Sequence, residues 1–256
     1  MLLVIDAGNT NITFGVFEGE DLIAQWRMVT DHDKGGDEYA ADLRNLFEST
    51  NVDLTKIEAV VIASVVPPLD QTLTRMVQEC FQLTPLFVNH TVDTGLKILY
   101  EAPADVGADR IVDAVAAVTK YGAPCIVVDF GTATTFNAVN AAGEYLGGVI
   151  APGLMISAEA LFLRAAKLPR VEIKRPEKAI GSSTVGAMQS GLYHGYAGLV
   201  DGVLEKMIEE MSTRPRVIAT GGLAPVIANA SRFIEKVDST LTLDGLRLVY
   251  ERTRQV

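Results

Sequence analysis

A short apolar run that ends in Asp-x-Gly occurs twice in this chain of 256 residues. The copies read Leu-Val-Ile-Asp-Ala-Gly-Asn-Thr and Ile-Val-Val-Asp-Phe-Gly-Thr-Ala, and their aspartates are Asp6 and Asp129. Each copy is followed by a second run that predicts the returning strand of a hairpin. Because the spacing is close to half the chain, the sequence predicts two duplicated domains, residues 1–120 and 121–256.

The chemistry of the two Asp-x-Gly turns suits a bound polyphosphate. An aspartate at a strand end can hold a cation or a cation-bound water, and glycine lets the backbone approach phosphate closely. Successive backbone N–H groups, with Thr or Asn side chains, can surround phosphate oxygens. A tight hairpin is the alternative for one copy, since Gly and Asn favour turns. Recurrence in both halves favours phosphate binding, and two such turns across a cleft would form an ATP site.

The order of predicted elements is three strands, a helix, a strand and a helix in each half. This order is typical of a ribonuclease-H-like unit. Two such units with a cleft between them give an α/β fold of the actin-like ATPase class. The predicted strands are 2–6, 11–17, 21–29, 59–66, 86–88, 124–129, 133–139, 145–151, 217–219 and a last strand before the C-terminal helix. The main predicted helices are 37–49, 67–80, one from about 106 to 121, 154–166, 183–211, one following residues 220–224, and 244–254.

Charge and hydropathy exclude several classes of protein. The net charge is −10 without a marked Lys/Arg cluster, which argues against nucleic-acid binding. An acidic chain that binds ATP needs positive charge from Mg²⁺, a monovalent cation or helix N-termini. With no basic leader and no apolar run near 18 residues, we expect a cytoplasmic protein without membrane contact. Cys80 and Cys125 are expected to be free thiols, and the histidine spacing does not suggest zinc.

Two further motifs each allow two interpretations. Gly221-Gly222 follows a strand and precedes a helix, so it could admit adenine or simply make a sharp turn. Asp109 lies in the first turn of a predicted helix, where a carboxylate compensates the helix dipole. Alternatively, Asp109 is a general base beside an anion pocket formed by the amides of Gly107 and Ala108 with Arg110.

Four motifs in this order resemble type III pantothenate kinases, a family of the actin, sugar-kinase and Hsp70 superfamily. They are Asp6-x-Gly-Asn-Thr-Asn, Gly107-Ala-Asp-Arg110, Asp129-Phe-Gly-Thr-Ala-Thr134 and Gly147-Gly-x-Ile-x-Pro-Gly153. The resemblance extends from the first residue to the last predicted helix. It implies ATP-dependent phosphorylation of pantothenate to 4′-phosphopantothenate, the first step of coenzyme A biosynthesis.

The resemblance also implies the ligands and the residues that bind them. ATP would be bound with Mg²⁺, and Asp129 would hold a monovalent cation, K⁺ or NH₄⁺. The implied ATP-binding residues are Asp6, Ala7, Gly8, Asn9, Thr10, Asn11, Ile12, Thr13 and Thr132. The implied pantothenate-binding residues are Tyr100, Gly107, Ala108, Asp109, Arg110 and Thr184, with Asp109 as the base on the primary hydroxyl.

A homodimer is expected, because the family acts as a dimer, and Thr184 would then reach the partner's site. The long helical region 183–211 carries small and apolar residues at helical spacing, which is consistent with an interface. They are Val185, Met188, Leu192, Gly195, Tyr196 and Leu199. The alternative is burial of this stripe within its own domain. The resemblance implies no feedback inhibition by coenzyme A.

Two other functions fit part of the sequence. A sugar kinase or polyphosphate phosphatase of the same superfamily would explain both loops, but not the Gly-Ala-Asp-Arg motif together with Thr184. A transcriptional accessory protein is the second alternative, since relatives have been described as Bvg accessory factors. The acidic charge balance argues against direct contact of this chain with DNA.

Overall fold

The computed structural model describes residues 1–254, which divide into two compact units. Unit 1 comprises Met1–Leu96, Glu101–Ala116 and the chain from Thr242 onward. Unit 2 comprises Lys97–Tyr100 and Ala117–Leu241. Each unit is an α/β structure with its own sheet and its own core.

Unit 1 contains a five-stranded sheet in the order β3-β2-β1-β4-β5. The strands are β1 (Leu2–Ala7), β2 (Asn11–Glu18), β3 (Asp21–Val29), β4 (Ala59–Ser64) and β5 (Leu86–Phe87). The helices are α1 (Gly36–Thr50), α2 (Asp70–Phe81), the first part of α3 (Ala108–Tyr121) and nearly all of α7 (Leu241–Thr253). The first three strands are antiparallel, whereas β4 and β5 are parallel to β1.

The core of unit 1 forms where α1 and α2 cover one face of this sheet. Tyr39, Leu43 and Phe47 recur at helical spacing along α1 and are buried. They pack in one cluster with alternate residues of β1, among them Leu3 and Ile5. The antiparallel register of β1 and β2 pairs Asp6 with Thr13. The first Asp-x-Gly turn therefore connects the paired ends of these two strands.

Unit 2 contains a six-stranded sheet in the order β11-β10-β7-β8-β9-β6. The strands are β6 (Lys97–Ile98), β7 (Cys125–Phe130), β8 (Ala133–Val139), β9 (Glu144–Pro152), β10 (Arg216–Thr220) and β11 (Lys236–Val237). The helices are α4 (Leu154–Arg164), α5 (Thr184–Glu210), the four-residue α6 (Ala224–Ile227) and the last part of α3. One side of α5 is buried in the core of this unit, including Leu192, Tyr196 and Val200.

The two sheets repeat one topology, which confirms the predicted duplication and fold class. β7, β8 and β9 form an antiparallel meander like β1, β2 and β3, and β10 is parallel to β7 as β4 is to β1. Asp129 pairs with Thr135 across the second hairpin, as Asp6 pairs with Thr13 across the first. Both aspartates therefore lie at the carboxyl end of a central strand, where open α/β sheets bind ligands.

The compact units differ from the predicted halves at residues 97–100, at residues 117–120 and from residue 242 onward. α7 belongs to unit 1, because Gly245 packs against the backbone of Val112 and Thr242 donates a hydrogen bond to Asp113 at 2.7 Å. The short strand β6 belongs to unit 2, where Lys97 pairs with Glu144 in β9. Pairings between residues so distant in sequence leave no local pattern from which a boundary can be read.

The other elements agree with the predicted ones to within a few residues, with one exception. The helix predicted after Gly222 is only four residues long and continues as a 3-10 turn over Ala228–Ala230. Asp201 on α5 accepts hydrogen bonds from the hydroxyl of Ser231 and the backbone N–H of Arg232. These bonds fix the chain directly after the 3-10 turn. Within residues 1–254, no helix combines the length and apolarity that crossing a bilayer requires.

Candidate active site

The first Asp-x-Gly turn is a compact loop between β1 and β2. The backbone N–H of Gly8 donates to the carbonyl of Asn11 at 3.0 Å, which closes the turn around Asn9 and Thr10. Asn9 and Thr10 are exposed, and Asp6 is half-buried at the end of β1. The predicted phosphate-binding residues are therefore adjacent, with the middle of the turn accessible to a ligand.

Two members of the predicted ATP-binding set lie inside the protein instead. Ala7 and Ile12 have no exposed surface and pack in the core of unit 1. They pair with each other across the hairpin, so they fix the strand ends on either side of the turn. Within the first turn, the accessible part of the predicted set consists of Gly8, Asn9, Thr10, Asn11 and Thr13, together with half-buried Asp6.

Asp109 occupies the first turn of α3, in unit 1. One of its carboxylate oxygens accepts a hydrogen bond from the backbone N–H of Arg110 at 2.8 Å. Burial of the carboxyl raises the pKa of Asp109 above the ordinary value, and the Arg110 N–H and guanidinium oppose that rise. The Asp109 carboxyl therefore binds a proton more readily than an ordinary aspartate does.

Gly107 lies in close contact with Asp109 and Val65 at the start of α3. A side chain at this position would collide with the Asp109 carboxylate and press on a methyl group of Val65. Val65 follows β4, and its N–H donates to the carbonyl of Ala7 at 3.1 Å. The Gly107–Arg110 motif thus packs against a residue that is bonded to the end of β1. Arg110 is 6% exposed, so its side chain is almost wholly buried.

The second Asp-x-Gly turn and the predicted adenine loop meet in unit 2. Thr220 at the end of β10 pairs with Asp129 at the end of β7. Gly221 has a φ of +88°, and a side chain there would collide with the Asp129 carboxylate and the Phe130 backbone. Only glycine fits this position. The structure therefore brings Asp129 and Gly221 together at the ends of β7 and β10. The bend at Gly131 and exposed Thr132 follows directly after β7.

Gly153 and Tyr196 hold the second turn in place through contacts that the sequence did not predict. A side chain at Gly153 would collide with the carbonyl of Thr132, so the start of α4 packs directly on the turn. The Tyr196 hydroxyl, on α5, donates to the carbonyl of Pro152 at 3.2 Å and is hydrogen-bonded to the Thr134 hydroxyl. Gly153 is the last residue of the fourth motif, and that motif was the only sequence signal for this position. Its contact with the carbonyl of Thr132 depends on tertiary packing.

The predicted pantothenate-binding residues are divided between the two units. Gly107, Ala108, Asp109 and Arg110 belong to unit 1, whereas Tyr100 and Thr184 belong to unit 2. The Tyr100 ring lies over Gly147, where an added Cβ would be 3.2 Å from two ring carbons. Thr184 is exposed at the first position of α5, and the Ser183 hydroxyl before it accepts the N–H of Gly186 at 3.1 Å.

Each Asp-x-Gly turn has one strand-end carboxylate, Asp6 or Asp129, that could contribute oxygen ligands to a cation. Within the described residues, no three His, Cys, Asp or Glu side chains are grouped to hold a metal ion. Mg²⁺ typically uses one or two carboxylates plus substrate phosphates and water, which a single strand-end aspartate can provide. Asp129 is the carboxylate of the second turn, and oxygen is the ligand type that hard cations prefer.

Comparison with known proteins identifies the family. The family model described as type III pantothenate kinase matches residues 2–206. A type III pantothenate kinase of Koribacter versatilis is 55% identical over 264 residues, covering 99% of this chain and 96% of the relative. A type III pantothenate kinase of Geobacter sulfurreducens is 54% identical over 255 residues, covering 100% of both chains. This chain belongs to the type III pantothenate kinase family. It is a kinase that phosphorylates pantothenate in coenzyme A biosynthesis.

Solved structures with low sequence identity share the fold. A Campylobacter jejuni protein assigned to the Baf family of transcriptional activators gives a TM-score of 0.62 at 18% identity, covering 99% of this chain and 100% of that chain. A ROK family glucokinase from Streptomyces griseus, in complex with glucose and AMPPNP, gives 0.55 at 13% identity, covering 99% and 100%. Together they place this pantothenate kinase in the actin-like ATPase and sugar-kinase fold class.

Proposed function

We propose that residues 6–13 and Thr132 bind the phosphates of ATP, that the Gly107–Arg110 motif binds pantothenate with Tyr100 and Thr184, and that Asp109 is the general base. The Asp109 carboxylate orients the primary hydroxyl of pantothenate and accepts its proton as the new O–P bond forms. Phosphoryl transfer depends mainly on positioning and on neutralising charge. The accessible N–H groups and hydroxyls of the two turns supply that positioning.

The observation that carries the proposal is the environment of Asp109. A helix-start aspartate that only compensates the dipole works equally well on the surface. This carboxylate is instead buried enough to raise its pKa, and it lies directly beside Gly107, where an added Cβ would collide with one of its oxygens. Raised carboxylate pKa values beside close-approach backbone are typical of catalytic acids and bases.

We propose that Asp129 holds a monovalent cation, K⁺ or NH₄⁺, next to the second turn. Its carboxylate lies at the strand end against Gly221 and beside the bend at Gly131 and Thr132. A cation there would supply positive charge near the phosphates, which a chain of net charge −10 otherwise lacks. Mg²⁺ would supply further neutralisation when bound with ATP.

We propose a homodimer that forms through α5 and β9. Met188, Leu192 and Tyr196 pack inside unit 2, so these members of the predicted stripe are used within the chain. A different side of α5 is open. Four exposed glycines lie along it, and a Cβ at any of them would meet no other atom. They are Gly191, Gly195, Gly198 and Gly202.

Two observations support this interface beyond the glycines. Each glycine in a helix interior costs about 1 kcal/mol relative to alanine, so four on one open side need a compensating close contact. Beside them runs a groove of about 620 Å³ between α5 and β9, lined by residues that include Leu146, Val149, Leu199 and Met207. Leu146 is 42% exposed and Val149 36%, so the chain itself leaves this apolar surface uncovered.

We also propose that the enzyme acts in the cytoplasm and does not bind nucleic acid. Support for the location comes from the need for ATP and from the two free cysteines, Cys80 and Cys125. Support for the absence of nucleic-acid binding comes from the acidic balance of the whole sequence.

Substitution of Asp109 by Asn tests the proposed base. Asn keeps the size and hydrogen-bonding shape but cannot accept the hydroxyl proton. Loss of a general base costs about 10²–10⁴ in rate, which corresponds to roughly 3–5 kcal/mol of barrier. We expect kcat to fall at least about a hundredfold, while the thermal midpoint, measured on the same sample, shifts little.

Asp105→Asn is the matched control, because Asp105 is an exposed aspartate just before the same helix. It undergoes the same chemical change and should keep normal turnover. An Asp109→Asn enzyme with kcat within about fivefold of wild type would contradict the general-base assignment. If Asp109 only compensates the helix dipole, the substitution should lower stability by about 0.3–1 kcal/mol and leave turnover near normal.

A further inference from the structure

Thr30 fastens the first Asp-x-Gly turn from outside the nucleotide-binding motif. It directly follows β3, and it is 9% exposed. Its hydroxyl donates to the carbonyl of Gly8 at 2.6 Å, and its backbone N–H donates to the carbonyl of Thr10 at 3.0 Å. One residue therefore bonds to two carbonyl groups of the turn, on either side of Asn9.

These two hydrogen bonds determine which way the peptide groups of the turn point. In a trans peptide the C=O and the following N–H point in opposite directions. The bond between Gly8 and Asn9 is not among the cis peptides of the described chain. Because the Gly8 carbonyl points at Thr30, the N–H of Asn9 points to the side away from Thr30. Nest-like phosphate binding needs N–H groups, and not carbonyl oxygens, directed at the anion.

The position of Thr30 is itself fixed by the next residue. The N–H of Asp31 donates to the Tyr39 hydroxyl at 2.8 Å, and that hydroxyl donates to the carbonyl of Asp31 at 2.9 Å. Tyr39 is 1% exposed in the core of unit 1. The buried Tyr39 side chain on α1 thus fixes the backbone at Asp31. The neighbouring Thr30 then fixes the Asp-x-Gly turn through its two hydrogen bonds.

We propose that Thr30 is a positioning residue for ATP. It keeps the Gly8 and Thr10 carbonyls directed away from the nucleotide, so that the turn offers N–H groups to the phosphates. This inference rests on the proposed role of residues 6–13 in phosphate binding. It adds a residue that contacts no substrate and acts only through the backbone of Gly8 and Thr10.

The test compares three variants at residue 30. Thr30→Val keeps the β-branched shape and loses the hydroxyl, Thr30→Ala loses it without placing an extra methyl near the Gly8 carbonyl, and Thr30→Ser retains it. We expect the KM for ATP to rise about fivefold or more in the Val and Ala variants, the factor that one typical hydrogen bond represents. The KM for pantothenate should not change, and Thr30→Ser should resemble wild type.

Thr74→Val is the matched control, because the half-buried Thr74 also donates its hydroxyl to a backbone carbonyl, that of Asp70, at 2.7 Å. It should leave both KM values unchanged. A merely structural role for Thr30 would lower the thermal midpoint without separating the two KM values. The inference is overturned if folded Thr30→Val or Thr30→Ala has the wild-type KM for ATP, or if Thr30→Ser is equally impaired.

Failure of this inference is distinguishable from failure of the proposed function. If Thr30 has no positioning role, wild-type enzyme still phosphorylates pantothenate and the variants share its KM for ATP. If residues 6–13 do not bind ATP phosphates, a folded Asn9→Pro enzyme, which lacks the N–H of residue 9, binds ATP like wild type, and this result overturns both proposals. A folded Asn9→Pro enzyme with weakened ATP binding beside a normal Thr30→Val enzyme overturns the Thr30 inference alone.

Discussion

At the scale of single residues, Asp109 shows how a helix terminus and burial can act against each other on one carboxylate. The N-terminus of α3 and the N–H of Arg110 favour the ionised form, whereas burial disfavours it. Burial is the larger effect, so the pKa of Asp109 lies above the ordinary value of 3.8. The sequence placed Asp109 at a helix start, but the burial that separates the two interpretations depends on tertiary packing.

The pH dependence of activity follows from the direction of that pKa shift. Only the ionised carboxylate can accept the hydroxyl proton, so kcat/KM for pantothenate should fall as pH drops through the raised pKa. The acid limb should lie above pH 3.8, the ordinary aspartate value, and should be missing from the residual activity of Asp109→Asn. A pH–rate profile of both enzymes checks this, and an identical acid limb in both would assign the limb to another group.

The raised pKa of Asp109 affects the stability of the fold in the opposite direction from activity, because stability falls as pH rises. Since the folded-state pKa of Asp109 is raised, this group stabilises the fold at pH values below its unfolded pKa. That contribution is lost as pH rises through the folded pKa. Asp109→Asn is neutral at every pH, so its thermal midpoint relative to wild type should become more favourable as pH rises.

At the scale of elements, the strands and helices that carry the site were predictable because their signals are local. The apolar runs that end in the repeated Asp-x-Gly predict β1, β7 and their returning strands. Gly122 follows the last residue of α3 and has a φ of +83°, the left-handed conformation in which glycine commonly ends a helix. The strand β6 was missed, since two residues carry no periodicity and only pairing with β9 defines them.

The open side of α5 makes a prediction about assembly. Gly195→Gln should convert the dimer to a monomer, because a long side chain prevents the close approach that the glycines permit. Within one chain the change meets no atom and improves helix propensity, so the monomer should stay folded. Light scattering should report about twice 27.5 kDa for wild type and about 27.5 kDa for the variant.

Ala41→Gln is the control for this experiment, since it adds the same side chain at an exposed position of α1. It should remain dimeric. A wild-type monomer with full specific activity would contradict both the interface and any role of Thr184 in a partner's site. A Gly195→Gln protein that keeps the wild-type mass would contradict the location of the interface on α5.

At the scale of the whole molecule, the duplicated sheets explain why one fold presents two similar turns. Each half places an aspartate at the carboxyl end of its central strand and a threonine opposite it. Sequence alone established the duplication, because the motif recurs. It could not assign α7 to unit 1, since Thr242 and Gly245 contact residues more than a hundred positions earlier. The supports at Gly153 and Thr30 were equally hidden, being contacts between separate elements.

The direct test of the central claim is a coupled assay of ADP release by the wild-type enzyme with Mg²⁺, run with and without pantothenate, in K⁺ and in Na⁺. We expect ADP to form only when pantothenate is present, 4′-phosphopantothenate to accumulate in equal amount, and the rate to fall when Na⁺ replaces K⁺. ADP release that does not depend on pantothenate would contradict the claim that this chain is a pantothenate kinase. A full rate in Na⁺ would contradict the role of Asp129 as a K⁺ or NH₄⁺ ligand.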